Sequence, residues 1–481
     1  MTLRLTRRGF VASAAAAAIL PVAYRYSHAE TPRFTLTAER RTIEVKGRSA
    51  DVLGLRQADG RSGLFLDPGE RFSLRLNNRI GAPTIIHWHG QTPPAAQDGV
   101  TDTGYATPIA DGAAVDYDFA PRPGTHWMHS HHGLQEMRLL AAPLIVRRPE
   151  DQAEDRQEVT VLLHDFSFKA PEELLAGLGQ GMMSHGMDMS MPGMDHSAMP
   201  GMGAMPGMNH GAGGDLNDIE FDAYLANDRT LDDPEVVKVE KGGRVLLRLI
   251  NGSAATAYWL DLGALTGSVV AVDGNPVVPV MVSRLPFAQG QRVDIVLSLP
   301  AEGGAFPVLV QREGDRARTG IVLASPGATV AKVAGMAETA VPPADLSLEE
   351  KLRAATPLAE KAPDITRRIR LTGSMMPYVW TIDGRSWADR DPIKVTPGAR
   401  VQVEIANESE MAHPMHLHGH HFAVVAIGGQ KLAGAMRDTV LVPIGQSVTI
   451  AFDADNAGRW LFHCHNLLHM ATGMMTEVAY S

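Results

Sequence analysis

The chain has 481 residues and a formal charge of −10 at pH 7, from 44 Lys and Arg against 54 Asp and Glu. Hydrophobic residues make up 44% and charged ones 20%, which excludes a disordered or collagen-like chain. The acidic balance argues against a nucleic-acid binder that works by charge neutralisation. A single Cys excludes an intrachain disulfide, while 19 His and 23 Met form a surplus of borderline and soft metal ligands.

The first 29 residues read as an export signal rather than as part of the fold. Thr6-Arg7-Arg8-Gly9-Phe10 has the twin-arginine pattern, the apolar run Val11 to Ala23 follows, and Ser27-His28-Ala29 offers small residues for cleavage. The apolar run is shorter than the roughly 20 residues that a spanning helix needs. The expected mature protein is therefore periplasmic, delivered by the twin-arginine machinery, without stable membrane insertion, and monomeric.

Beyond the signal the chain repeats itself. Gly69 to Asn78, Gly242 to Asn251 and Gly398 to Asn407 align without gaps, each a Gly turn, an Arg, an alternating strand and a closing Asn. The separations, 173 and 156 residues, are the size of domains. Short strands between Gly/Pro turns argue for an all-β chain of three Greek-key β-sandwiches. The expected domains are 32–149, 156–325 and 365–481, with a linker at 341–363 that carries a short helix over Leu346 to Ala354.

Nine residues after the aligned Asn, the copies diverge: His87-Trp88-His89, Leu260-Asp261-Leu262 and His416-Leu417-His418. Residues i and i+2 of a strand share a face, so two copies present paired imidazoles and the middle one paired leucines. Near their ends the outer domains carry a second pair each, His129-Ser130-His131 and His463-Cys464-His465. If these domains face each other, eight imidazoles converge on one cluster suited to copper, zinc, iron or nickel. Domain three adds Cys464 on the opposite face of its strand, with His469, Met474 and His413. Two imidazoles, a thiolate and a weak thioether make a blue-copper electron-transfer site. Domain one has Ser130, Gln135 and Leu140 at the equivalent places.

This constellation resembles the three-domain multicopper oxidases, laccases and bacterial cuprous oxidases of copper tolerance, over His87 to Gln135 and His413 to Met475. The resemblance implies three cupredoxin-like domains and four copper ions. It implies one type 1 ion on His413, Cys464, His469 and Met474, and one type 2 ion on His87 and His416. The two type 3 ions would lie on His89, His129, His131, His418, His463 and His465. Cys464 would pass electrons through its two neighbours to the cluster, where O2 becomes water. Asp98 matches the acid that the cuprous-oxidase branch places beside the cluster, although Asp-Gly is also a common turn pair. Met470 stands where that branch has a second acid.

The donor is narrowed by Met182 to His210, which holds ten methionines and three histidines among Gly, Pro, Ser and Asp. Without apolar partners or periodicity these thioethers do not read as core, and they suit Cu(I). The residues 181–210 are therefore expected to form a Cu(I)-collecting loop of domain two, including Met187, Met189, Met191 and Met194. In the best-known cuprous oxidase a similar insert lies just before the last domain. Met411 and Glu410, with Met375 and Met376, are further candidates for substrate Cu(I). The alternatives are a laccase acting on a phenol or other organic reductant and, in a different class, a copper-binding or storage protein.

Overall fold

The computed structural model describes residues 32–179 and 216–481. The export signal and the methionine-rich stretch, with Met187, Met189, Met191 and Met194, lie outside the described residues. Among the described residues the strands form six sheets, two in each third of the chain, so the fold is all-β and built of sandwiches. No helix of the described residues is long and apolar enough to cross a membrane.

The repeat seen in sequence is a repeat of topology. In each copy the first strand pairs in parallel with the Asn-ending strand: Phe34–Val45 with Phe72–Arg79, Gln157–Phe166 with Arg244–Asn251, and Ile365–Met375 with Arg400–Asn407. The three asparagines explain why the strands end at the same place, at the asparagine or one residue past it. Each side-chain oxygen accepts from the backbone N–H two residues on, at Ile80, Ser253 and Ser409. Each side-chain nitrogen donates to two carbonyls, one just downstream and one on another segment (Ile109, Phe287 or Val442). A buried amide with its bonds satisfied fixes the exit of the strand, and thereby the start of the next one, which carries the first residue of each His-x-His or Leu-x-Leu pair, while the second lies just beyond the strand end.

The stretch Leu346 to Ala354 is not the expected helix. It makes a few turns, with hydrogen bonds from Glu350 to Leu346 and from Leu352 to Leu348. Leu346, Leu348 and Leu352 are all buried, a spacing that a helical face would not bury together, and the Glu349 carboxylate is taken by Arg437 of the last third. Tertiary packing overrides the local propensity there.

Candidate metal centre

The second sheet of each outer third brings its histidines side by side. His87 lies opposite His129, and His416 lies opposite His463, at equivalent positions of antiparallel pairs. The middle third puts Leu260 opposite Val310 at that register, an apolar pair. Rings of the outer thirds then interleave: His89 stacks on His416 with centroids 3.7 Å apart, and His87 on His418 at 3.8 Å. All eight imidazoles are buried. Among the described residues three all-imidazole sets, each with atoms within 4.8 Å of one another, emerge: His87, His89 and His416; His89, His129 and His465; and His131, His418 and His463; a fourth set joins His87 and His418 with Asp98.

The outward nitrogens are anchored. His87 Nδ1 faces the Asp98 carbonyl at 2.9 Å, His416 Nδ1 faces the Asp438 carbonyl at 2.9 Å, and His463 Nδ1 faces the Cys464 carbonyl at 2.8 Å. Three carboxylates take others: Asp98 holds His418 Nδ1 at 2.9 Å, Asp438 holds His89 Nε2 at 3.1 Å, and Glu136 holds His129 Nδ1 at 2.6 Å. Asp98 is also the turn residue, since a Cβ on Gly99, at φ +80°, would stand 1.8 Å from the Ile86 carbonyl oxygen. Turn and cluster contact are thus one feature.

The inward nitrogens have no protein partner: Nε2 of His87, His129, His131 and His416, Nδ1 of His89, and both nitrogens of His465. Nε2 of His418 and of His463 face each other at 2.9 Å. Orphaned buried imidazole nitrogens are costly in a protein without ions, and natural in one that holds them. Burial lowers the pKa of His89, His129, His131, His416, His418, His463 and His465. They are therefore neutral, as metal ligation requires. The residues fit a multinuclear imidazole-bound centre.

A second centre lies on the other face of the strand Arg459–Cys464. Cys464 Sγ is 3.6 Å from His413 Nδ1 and 3.7 Å from His469 Nδ1. His469 rides on the helix Leu467–Ala471, capped by the Asn466 side chain. Met474 is buried in the same core, its carbonyl accepting from the Cys464 N–H. Burial pushes the Cys464 thiol up, so a bound cation is what would draw off its proton. The outer nitrogens are again held, His413 Nε2 by Ser409 Oγ at 2.6 Å and His469 Nε2 by Asp218 Oδ1 at 3.0 Å. Trp380 packs over His469 with centroids 4.4 Å apart.

The candidate substrate residues are not gathered in one place. Met411 is buried and lines a cavity of about 380 Å³ with Glu313, Gln289 and Asn466. Glu410 is exposed, and Met376, in the turn after Ile365–Met375, is 75% exposed and does not line that cavity. Met470 packs against an apolar cluster of Val100, Leu461 and Met475 in place of an acid. Sequence reasoning missed Glu136, Asp438, Arg292 and Asp218. Glu136 carried one signal, a charge five residues after His131 at the edge of an apolar run. Asp218 carried none, because its partners lie more than 150 residues away.

Three sequence-family models, each described as multicopper oxidase, match residues 40–151, 158–329 and 360–481. The chain is 32% identical over 457 residues to the multicopper oxidase MmcO of Mycobacterium tuberculosis, covering 93% of this chain and 86% of that protein. It is 25% identical to a copper resistance protein A homolog of Pseudomonas syringae pv. tomato, covering 99% of each. Its fold matches the crystal structure of Fet3p, a multicopper oxidase that functions in iron import, with TM-score 0.74 at 16% identity, covering 93% of this chain and 90% of that one. The chain belongs to the multicopper oxidases. It is an oxidoreductase that uses oxygen, laccase-like and close to the copper-resistance-protein-A type, and its family implies multiple bound copper ions.

Proposed function

We propose that this chain is a periplasmic cuprous oxidase of copper tolerance, exported by the twin-arginine route and cleaved after Ala29. Four Cu(I) are oxidised to Cu(II) while one O2 takes up four electrons and four protons and leaves as two water molecules. In this reading His413, Cys464, His469 and Met474 hold one type 1 copper, and His87 and His416 one type 2 copper. His89, His129, His131, His418, His463 and His465 hold two type 3 coppers. Bound copper would supply the one-electron oxidation of the donor at the first site and the reduction of O2 at the other.

The observation that carries the reading is that Cys464 faces one centre while its neighbours His463 and His465 face the other. The chain's own residues do the rest. The Cys464 peptide links the centres, and burial excludes water from both. Asp98 orients His418 through Oδ2 and brings Oδ1 to 3.4 Å from His87 Nδ1, and this position beside the cluster supports a role in passing protons to it. Cu(I) as donor is supported by the ten methionines of residues 182–210 and by the names of the copper-resistance relatives.

A second reading, an organic donor as in laccases, is favoured by the cavity beside Met411. It offers an acceptor at Gln289 Oε1, which is buried without a partner, and the Glu313 carboxyl. The test is O2 uptake by the copper-loaded mature protein with Cu(I) and then with a phenol, with and without residues 182–210. Cu(I) turnover that falls on deletion supports the first reading. Phenol turnover unchanged by the deletion, without Cu(I) turnover, replaces it by the second.

A further inference from the structure

Domain two holds no histidine of the cluster, yet its strand Arg292–Ser298 begins at the cluster's edge. Arg292 is fully buried. Its Nη1 donates to Asp438 Oδ1 at 2.7 Å and to the Gly290 carbonyl at 2.9 Å, its Nη2 donates to Asp438 Oδ2, and its Nε to the Thr125 carbonyl at 3.2 Å. One guanidinium therefore joins all three thirds of the chain.

Asp438 is the hinge of this arrangement. Its Oδ1 also takes His89 Nε2, and its carbonyl faces His416 Nδ1 at 2.9 Å. His89 and His416 come from different domains and stack on each other. His89 moreover turns the opposite nitrogen inward from His87, His129, His131 and His416: its free atom is Nδ1, and theirs is Nε2. A neutral imidazole adopts whichever tautomer its outer partner dictates, so the inverted ring needs an acceptor held in place at Nε2. A carboxylate gripped through both oxygens by a planar guanidinium has no freedom to rotate away. Burying that pair is costly and is compensated only where every oxygen is used, as here.

We propose that Arg292 is a positioning residue of the copper cluster: by clamping Asp438 it sets the tautomer and angle of His89 and the seat of His416. Domain two thereby takes part in the oxygen-reducing site without contributing a ligand. The inference rests on the reading of the eight histidines as a copper cluster.

The test uses the full mature chain, copper-loaded, as wild type, Arg292→Gln, Arg292→Lys and Asp438→Asn. Copper per chain, the blue absorption of the Cys464 site and the electron paramagnetic resonance of the type 2 ion are read together, with O2 turnover. Arg292→Gln should keep the blue absorption, lose cluster copper or shift the type 2 spectrum, and lower turnover about ten- to a hundredfold. Arg292→Lys, which keeps the charge without the fork, should recover part of the loss. An unchanged type 2 spectrum and copper content in Arg292→Gln overturns the proposal and leaves the cluster reading intact. Equal loss of blue and cluster signals, or no folded protein, in both Arg292→Lys and Asp438→Asn makes the pair a structural lock and also overturns it. A wild type that loads no cluster copper overturns the cluster reading itself.

Discussion

Thr84 occupies in domain one the place of His413 in domain three, each six residues beyond its strand-closing asparagine. Where His413 faces Cys464, the Thr84 hydroxyl donates to Gln135 Oε1 at 2.7 Å. Ser130, at the place of Cys464, donates to the same oxygen at 2.8 Å, and the Gln135 amide donates to the Pro83 carbonyl. The hydroxyls and amide satisfy one another, so this corner of domain one presents no lone pair that asks for an ion. One scaffold thus carries either a ligand set or a hydrogen-bonded plug.

The first prediction follows from that contrast. Cys464→Ser should remove all blue absorption and all turnover while copper stays on the histidine cluster, as read by visible spectra and copper counts. Residual blue colour would mean that Cys464, the one cysteine of the chain, is not its source, and would sink the assignment.

Glu136 gives the second. It is the one carboxylate on His129, and burial raises its pKa well above the usual range. Glu136→Leu should weaken cluster copper in chelator competition by about ten- to a hundredfold, and Glu136→Gln, which can still accept from His129, should lose less. Equal affinity in all three proteins would contradict the role.

The third concerns the cavity beside Met411. Burial raises the Glu313 carboxyl to about 7, so it ionises across neutral pH. If an organic donor places its O–H there, its KM should fall as pH rises through that value, since the carboxylate accepts more strongly than the acid. Glu313→Gln should flatten that profile while leaving Cu(I) turnover within about twofold. A steep profile retained in the variant would place the donor elsewhere.

The fourth tests stability. Burial lowers the pKa of His164 to about 4, while in the unfolded chain it is about 6.5. Between these values the unfolded state binds the proton and the folded state does not. The fold therefore keeps this contribution above about pH 6.5 and loses it as pH falls towards 4, at up to ~1.4 kcal/mol per pH unit. In the metal-free protein His164→Gln should make the unfolding midpoint less sensitive to pH between 7 and 5. An identical dependence in both proteins would assign acid instability to other groups.

The sequence exposed what repeats locally and hid what meets across the chain. A spacing of two revealed His87 and His89, although the strand ends at His87 and His89 stands in the turn after it, and a missing counterpart at Leu260 revealed which domain lacks ligands. The three asparagines were legible as markers, and their hydrogen bonds explain why they recur. The carboxylates were not legible, except Asp98 through resemblance. Asp438 meets His89 across 349 residues, and Asp218 meets His469 across 251. No local pattern encodes such a pairing. The helix expected at Leu346 to Ala354 failed for a related reason, because distant partners claim its leucines and Glu349.

The strand Arg459–Cys464 has a consequence for how the enzyme would fail. In the proposed reading the path from the Cys464 sulfur to the cluster is covalent, and a strand advances only about 3.3 Å per residue, so its length cannot breathe. The cluster itself is a seam between two domains, held by side-chain packing and buried charge. Mild heat or denaturant should part the seam first, leaving a protein that still accepts electrons and stays colourless, unable to pass them to oxygen.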